Sequence, residues 1–207
     1  MAIRLHITPT DSPLVGKSHW WGAPDLPSDI PYPFVEVSDD DGEIYNEPLT
    51  FVCQIRCSEI APYDPEHLLP QQGMLYIFAP IDYFLGDEFS SLYYFNPPVV
   101  IYSEQEEGLT PYDLHWEDTG ESVFRPAEQI EFSLSEKKSD DGLRMLTVPY
   151  QDDVTEQNPG HIALLQIDEE ERWGLRFYDC GTYYILLRPE DMKAGRWNNA
   201  KGELFYY

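Results

Sequence analysis

The sequence predicts an α+β fold rich in β-structure, with two pseudo-repeated antiparallel β halves and a few short helices packed as one globular unit. The first observation is a pattern that occurs twice, in which an apolar segment ending in Gln-Ile is followed by a loop, a glycine and an aromatic segment. The second is a series of further short apolar segments between Pro, Gly and acidic residues, at the spacing typical of antiparallel sheets. The third is that no long segment shows the 3.6-residue apolar period of a helix. The two copies of the pattern are Thr50–Ile55 with Gly73–Phe78, and Ile162–Ile167 with Gly181–Leu186.

The duplicated pattern predicts a single domain over residues 1–207, with an internal pseudo-repeat of approximately 18–136 and 143–207. A chain of 207 residues can bury roughly 70% of the surface of its unfolded state, which is enough for a substantial core. Lys137–Gly142 lies between the two copies and is interpreted as a hairpin turn or an interlobe loop. The seam between two such halves is a usual place for a binding site.

The first part of the chain is dense in proline, with six prolines within residues 8–34. Because proline blocks helices and removes backbone donors, we expect this segment to be extended chain laid over the core by its aromatic side chains. Asp39–Gly42 then predicts a turn between Phe34–Val37 and a strand at Leu49–Ile55, since Asp-Gly adopts the positive φ that a tight turn needs.

Two short helices are predicted. Asp64–Leu69 begins with a capping residue, a proline at the first helical position and an acid in the first turn, and Arg188–Met192 has a similar beginning. Four further strands are predicted from short apolar segments: Leu92–Phe95, Val99–Tyr102, Gln129–Leu134 and Leu143–Val148.

The charge is strongly acidic, with 13 Lys and Arg against 38 Asp and Glu and a net charge of -25. Such a surface repels phosphate groups, so the composition argues against nucleic acid and anionic membranes as partners and favours a basic protein. The alternative is that the acidic residues serve only solubility. Met1–Thr10 contains no continuous apolar segment of a secretory signal, and no segment approaches the length of a membrane span. We therefore expect a soluble, cytoplasmic protein.

Motifs for common chemistry are absent or incomplete in the sequence. Gly16–Ser18 resembles the end of a phosphate-binding loop, but Asp11 stands where the first glycine is required and Pro13 interrupts the loop. Dinucleotide-binding, zinc-protease and nucleophile-elbow motifs are missing. The sequence therefore identifies no catalytic residue, and no cofactor is predicted.

The cysteines and acidic runs do not predict a metal site. Cys53 and Cys57 form one close pair, whereas a structural zinc site usually needs a second pair of ligands. The third cysteine, Cys180, makes the number odd, which favours reduced thiols over disulfides. Asp39–Glu43 lacks the alternating acids of a calcium loop and is better interpreted as a solvated turn, although calcium binding by the acidic loops is a weaker third hypothesis.

Two glutamines stand out because each lies in an otherwise apolar predicted strand. A buried amide must have hydrogen-bond partners, so Gln54 and Gln166 either tie neighbouring backbone together or make polar contacts in a pocket between the halves. The candidate binding residues at this interlobe seam are the glutamines together with nearby aromatic residues: Trp20, Trp21, Gln54, Tyr76, Gln166 and Tyr184.

An ordered series of short motifs resembles the YwqG-like family of uncharacterised bacterial proteins. The motifs are Ser18–Pro27, Asp41–Gly42, Pro48–Ile55, Leu69–Phe78 and, near the C-terminus, Leu164–Ile167 and Arg188–Asp191. Two positions depart from the family, since Trp21 stands in a usual Gly-Gly pair and Cys53 replaces a usual alanine. The resemblance implies a β-rich α+β fold with duplicated halves and supplies no activity, cofactor or catalytic residue. Members of the family also occur near bacterial toxin systems, which implies a protein-binding role.

The sequence as a whole favours a non-enzymatic protein-interaction module, immunity-like or adaptor, whose acidic surface binds a basic protein partner. The alternative is a small-molecule binder or an enzyme that uses a cleft between the two halves.

Overall fold

The computed structural model describes residues 2–38, 42–86 and 95–207. Within these ranges, twelve strands form a ten-stranded antiparallel sheet and a separate two-stranded hairpin. The strands are β1 (Ala2–Pro9), β2 (His19–Trp20), β3 (Phe34–Ser38), β4 (Ile44–Pro48), β5 (Thr50–Arg56), β6 (Met74–Ala79), β7 (Val99–Ser103), β8 (Glu128–Ser135), β9 (Arg144–Thr147), β10 (Ile162–Asp168), β11 (Thr182–Leu187) and β12 (Lys201–Phe205).

The helices are few and short. The described α-helices are α1 (Cys57–Ile60), α2 (Asp152–Gln157) and α3 (Pro189–Lys193), and the described 3-10 turns are Ala61–Tyr63, Asp82–Leu85, Glu171–Trp173 and Trp197–Asn199. The predicted fold class, a β-rich globular unit with a few short helices, is therefore confirmed. None of the described helices is long and apolar enough to cross a membrane.

The large sheet has a symmetrical strand order. Strands β1 and β8 lie side by side at its centre, followed outward by β9, β10, β11 and β12 on one side and by β2, β5, β6 and β7 on the other. In the first half Gln54 pairs with Tyr76, and in the second Gln166 pairs with Tyr184. Each half also has a β-bulge just before its glutamine, between Phe51 and Cys53 and between Ala163 and Leu165. The two halves thus share one register, which supports the duplication, although the limits of the two repeats stay a prediction.

The central strands of each half are buried on both faces. In β6 the alternate residues Leu75, Ile77 and Ala79 join a core cluster shared by both halves, while Met74, Tyr76 and Phe78 pack in an outer cluster. Burial on both faces explains why these strands are continuous apolar segments without polar alternation. The outer cluster of the first half is covered by side chains from 26–37 and 109–124, and the smaller outer cluster of the second half includes Val154 of α2.

The predicted helix at Asp64–Leu69 is wrong. Helix α1 lies just before this segment, and Asp64 begins a turn in which its Oδ2 atom accepts a hydrogen bond of 2.8 Å from the Leu69 N–H. His67 has a φ of 50°, which ends any helical path. The aspartate therefore closes a loop, because its carboxylate bonds five residues onward instead of to the second or third residue of a helix.

The second predicted helix is confirmed as α3, with Arg188 as its capping residue and a proline in its first turn. The strands predicted at Val99–Tyr102, Gln129–Leu134 and Leu143–Val148 correspond to β7, β8 and β9. The strand predicted at Leu92–Phe95 lies, except for its last residue, outside the described residues, as do three residues of the predicted Asp39–Gly42 turn.

Two connections between strands differ from the sequence-based prediction. Strand β4 lies between the predicted turn and β5 and pairs with β3, so the chain forms a hairpin before it enters the large sheet. Lys137–Gly142 is not a hairpin turn, because β1 lies between β8 and β9, with Arg4 paired to Ser133 on one side and to Arg144 on the other. The segment is thus a loop from β8 to β9, which belong to different halves of the sheet.

Candidate functional site

A groove of about 1020 Å³ lies in the first half, between strand β4 and the segment 114–125. Aromatic side chains supply much of its lining: Trp21, Tyr32, Phe34, Tyr45, Phe51, Trp116 and Phe124. Ligand sites commonly combine such an aromatic lining with a few polar groups. We call this cleft the acidic groove, for the charges described below.

Backbone hydrogen bonds fix the walls of the acidic groove. The segment 114–125 folds back on itself, with Trp116 N–H donating to Glu121 O at 2.9 Å and Val123 N–H to Leu114 O at 3.2 Å. The Gly22 N–H donates to Arg125 O at 3.0 Å, which attaches this segment to the main sheet. The groove is therefore built from segments that are remote in sequence and are held by main-chain contacts.

The outer part of the groove wall is the β3–β4 hairpin. Tyr32 Oη donates to Leu49 O at 2.6 Å and so anchors the residue that follows β4. Three of the exposed large apolar side chains lie on this hairpin, namely Phe34, Ile44 and Tyr45. The hairpin thus presents apolar surface to solvent beside the groove.

The charged lining of the groove is mostly negative. Five carboxylates line it, contributed by Glu47, Asp82, Glu117, Asp118 and Glu121. Burial raises the pKa of Glu47, and no Lys, Arg or His in the described ranges lies within ion-pair distance of it. Among the described lining residues the permanent cation is Arg125, whose guanidinium donates to Trp173 O at 3.0 Å and to Leu85 O at 3.3 Å. The groove therefore favours a positively charged ligand.

Three tryptophans fill the place where the two halves meet. Trp20 stacks on Trp173 at a centroid distance of 5.4 Å, and Trp21 contacts both rings edge-on at 5.6 and 5.4 Å. Trp20 is fully buried and Trp21 is 2% exposed, so the rings form core at this seam. In the described part of the chain the indole N–H groups of Trp20 and Trp21 have no hydrogen-bond partner.

Trp21 belongs to both regions, because it also lines the acidic groove, where the Arg125 guanidinium lies 5.7 Å from its ring centroid. Its φ of 54° is unusual for a large side chain and marks local backbone strain. Backbone strain of this kind is frequent at functional sites. Here it occurs at Trp21, which contacts the other two tryptophans of the seam and also lines the acidic groove.

Gln54 and Tyr76 converge on a buried aspartate of the first half. Gln54 Nε2 donates to Asp25 Oδ2 at 2.6 Å, the Asp25 N–H returns a bond of 2.8 Å to Gln54 Oε1, and Tyr76 Oη donates to Asp25 O at 2.7 Å. The Gly16 N–H also donates to Asp25 Oδ2, at 2.7 Å. These contacts satisfy the amide within the protein, so the pair is part of a closed structural network. Sequence reasoning missed Asp25, which lies 29 residues before its glutamine partner.

His19 lies beside this network. Its Nδ1 is 2.6 Å from Trp21 O and its Nε2 is 3.9 Å from Asp25 Oδ2. Burial lowers the pKa of His19, opposed by the negative charge of Asp25 and by hydrogen bonds to Trp21 O and Gln54. The imidazole is therefore held neutral, with the Nδ1–H donating to the carbonyl.

The backbone around Gly16–Ser18 is unsuited to phosphate. The N–H groups of Gly16, Lys17 and Ser18 donate to Asp25 Oδ2, Leu14 O and Glu59 Oε2 respectively. Because these donors already have acceptors within the chain, the segment offers no phosphate cradle.

Gln166 and Tyr184 lie in the second half and have different partners. Gln166 Nε2 donates to Asp140 O at 2.9 Å and to Gly142 O at 2.8 Å, and Tyr184 Oη donates to Gln151 Oε1. The sheet order puts four strands between the two glutamines. The six residues predicted at one seam thus lie in three places: two at the tryptophan seam, two around Asp25 and two in the second half.

The three cysteines are free thiols, of which two are buried and one is exposed. Cys53 and Cys57 are buried, and burial raises the pKa of both thiols, that of Cys57 to about 12. Cys180 is exposed. Nowhere in residues 2–38, 42–86 and 95–207 do three or more His, Cys, Asp or Glu side chains converge in a way that could hold a metal ion.

The fold and the groove define a β-rich globular domain with an acidic, aromatic cleft. The chain belongs to the family described as a domain of unknown function (DUF1963), whose model matches residues 18–203. A comparison with curated proteins finds no match.

Proposed function

We propose that the protein is a non-enzymatic protein-interaction module that binds a basic segment of a partner protein in the acidic groove. The observation that carries the proposal is the lining of the groove, where aromatic rings and five carboxylates face one permanent cation among the described residues. Lys and Arg side chains are attracted both to carboxylates and to the faces of aromatic rings. The net charge of -25 would also speed the approach of a basic partner.

The shape of the groove favours an extended segment. Residues 45–51 line it in an unbroken series, so one wall runs along β4 into the start of β5. An extended partner segment that lies along this wall contacts the exposed aromatic residues of the β3–β4 hairpin with its side chains.

The proposal also includes the cellular location of the protein and the kind of partner that it binds. The resemblance to the YwqG-like family supports a bacterial, cytoplasmic protein that acts as an immunity-like or adaptor module. The strongly acidic composition supports a basic protein rather than nucleic acid or an anionic membrane as its partner.

A small cationic molecule is the second candidate ligand. The volume of about 1020 Å³ lies at the upper end of the range of small-molecule sites, and Glu47 supplies a half-buried carboxylate. The tryptophan-filled seam gives no support to a cleft between the halves near Trp20 and Trp21.

The test is a binding titration with three probes: a short fluorescent peptide of alternating Lys and Ser, the same peptide with Glu in place of Lys, and N-acetyl-lysine amide. We expect the lysine peptide to bind and its affinity to fall as salt rises from about 50 to about 300 mM. The double substitution Glu47→Gln with Trp116→Ala should weaken it about tenfold or more, a loss of roughly 1.4 kcal/mol. The matched control is Glu131→Gln, an exposed acid on β8 outside the groove.

Equal binding of the glutamate peptide, or an affinity that the groove variant leaves unchanged, would contradict the proposal. Binding of N-acetyl-lysine amide as tight as that of the peptide would instead select the small-molecule candidate, because a peptide should gain from its additional contacts.

A further inference from the structure

A cavity of about 410 Å³ lies in the second half of the molecule, at one end of three adjacent strands. His161 directly precedes β10, Arg188 directly follows β11, and Lys201 is the first residue of β12. Because β11 runs antiparallel to both β10 and β12, its end meets the beginnings of its two neighbours. The three side chains line the cavity together, and we call it the basic pocket.

A turn between α3 and β12 supplies the opposite wall of the basic pocket. Trp197 in this turn is buried, and its ring centroid lies 6.4 Å from that of Tyr102 on β7. The Ala200 N–H donates to Trp197 O at 3.1 Å, which closes the turn. Asn198 and Asn199 are thereby held in the lining, where amide groups can donate hydrogen bonds to an anion.

The negative charge of Asp191, which also lines the basic pocket, is already compensated. Arg196 Nε donates to Asp191 Oδ1 at 2.6 Å. This bond and a second one from Asn199 lower the pKa of Asp191, against the effect of burial. The carboxylate is therefore paired with a guanidinium that is not part of the lining, and it does not neutralise the cations of the pocket.

The cationic side chains of the pocket are held only weakly by the protein. Arg188 Nη1 lies 3.6 Å from Glu190 Oε1, and both side chains are about half exposed, so this ion pair contributes little. Lys201 is exposed and has no ion pair within residues 2–38, 42–86 and 95–207. His161 Nδ1 is buried and has no hydrogen-bond partner in those ranges either. A guanidinium, an ammonium and an imidazole are thus available to a ligand.

Such a group of donors matches a phosphate better than a carboxylate. Arginine binds oxyanions through two parallel N–H groups, while lysine acts as a compact point charge. A phosphate group carries close to two negative charges and three acceptor oxygens, so it can contact both cations and the neutral donors at once. A carboxylate has one charge and two oxygens, and would leave part of this lining unused.

We propose that the basic pocket binds the phosphate group of a small ligand, either inorganic phosphate or a phosphate monoester. Arg188 and Lys201 pair with the phosphate oxygens, and His161 and the two asparagine amides donate hydrogen bonds. The volume of about 410 Å³ lies within the range of roughly 300 to 1,000 Å³ of small-molecule sites, which leaves room for the organic part of an ester. Since the net charge of -25 repels anions at long range, the affinity depends on these local contacts.

The test is an NMR titration of the backbone amides of the full chain at about pH 7.5, where a phosphate ester is mainly a dianion. The probes are glycerol phosphate, inorganic phosphate and acetate at equal ionic strength. We expect glycerol phosphate to shift the signals of residues around the basic pocket, with a Kd of about 1 mM or tighter. Acetate should leave these signals nearly unchanged.

The double substitution Arg188→Gln with Lys201→Gln should weaken the binding of glycerol phosphate about tenfold or more, because both charge-assisted contacts are lost. Both residues are exposed and the Arg188 side chain makes no capping bond to α3, so we expect this variant to fold. The matched control is Lys193→Gln, an exposed lysine of α3 outside the lining, which should bind within about twofold of the wild type.

The two phosphates distinguish the source of the ligand. Equal affinities would identify inorganic phosphate, whereas tighter binding of glycerol phosphate would identify a phosphate ester, and either result supports the site. Shifts of the same size with acetate, or an affinity that the double variant leaves unchanged, would overturn the proposal. So would the absence of saturable shifts with both phosphates up to about 20 mM. Because all three probes are anions, their failure would not affect the acidic groove, which is tested with a cationic peptide.

Discussion

The surroundings of Gln54 and Gln166 differ although the strands that carry them share one register. Gln54 lies in a closed network with Asp25, in which the amide oxygen and nitrogen both have partners. Gln166 binds two carbonyls of a connecting loop and leaves its oxygen without a donor in the described residues. The first half is also covered by an extra layer that forms the acidic groove, whereas the second half keeps a titratable carboxyl beside its glutamine. The two halves therefore share their strand pairing and differ in the segments outside the strands.

Substitutions at the tryptophan seam, which joins the two halves, should have the largest effect on stability. Trp20→Ala and Trp173→Ala should each lower the free energy of unfolding by about 3–5 kcal/mol, as expected for a large buried ring. Because the rings stack at 5.4 Å, the double variant should lose about 0.5–1.5 kcal/mol less than the sum. Denaturant unfolding measures all three, with Trp116→Ala, a half-buried groove residue, as the milder control. Strict additivity would show that the seam does not couple the halves.

The second prediction concerns the pH dependence contributed by the second half. Since the folded pKa of Asp168 is about 6 against an ordinary value of 3.8, the folded state holds the proton more tightly. The stabilisation is therefore complete below pH 4 and is lost as pH rises toward 6, a change of about 3 kcal/mol. Chemical unfolding from pH 4 to pH 7 should show this loss in the wild type and not in Asp168→Asn. A wild-type curve parallel to that of the variant would remove this distinction between the halves.

The sequence predicted the strands of these regions but not the contacts between segments that meet only in the folded chain. The strands around Gln54 and Gln166 were predictable, because burial on both faces produces continuous apolar segments with one conspicuous polar residue. The partner Asp25 was not, since it lies in a proline-rich segment without periodicity and meets Gln54 only in the fold. Strand β1 was also missed, although Ile3, Leu5 and Ile7 alternate with polar residues as in a half-buried strand.

The acidic groove could not be predicted from the sequence for the same reason. Its walls come from β4 and from 114–125, which have no shared motif and are brought together by the hairpin and by main-chain bonds such as that from Gly22 to Arg125. The acidic residues and Trp116 were visible in the sequence, but their convergence was not. The prediction of a basic partner was based on the net charge.

A direct comparison of the two amides should give a difference of about 1–2 kcal/mol. Gln54→Leu leaves Lys17 O and the Asp25 N–H without this partner and removes one of the donors to the Asp25 carboxylate, which keeps the Gly16 N–H. Gln166→Leu takes the amide donor from two carbonyls but also removes an acceptor that had no donor in the described residues. At about 1–3 kcal/mol per unsatisfied buried group, Gln54→Leu should be the more damaging. Unfolding in urea at pH 7 measures both. Equal losses would indicate that Gln166 Oε1 has a donor after all, contrary to its described surroundings.

The smallest expected effect is a pH slope of opposite sign in the first half. Burial lowers the pKa of His19, so its contribution to stability is present above the unfolded value of about 6.5 and is lost as pH falls. His19→Asn keeps a donor for Trp21 O and removes the titration, and should therefore flatten the loss of stability on the acid side. Since Asp168 acts in the opposite direction over pH 4–6, the effect is best measured in an Asp168→Asn background, where only the histidine of this pair titrates. Stability that still falls with acid in the double variant, as steeply as in Asp168→Asn alone, would assign the slope to other groups. A flattened slope would show that each half carries its own response to protons, built on the same strand register from different connecting segments.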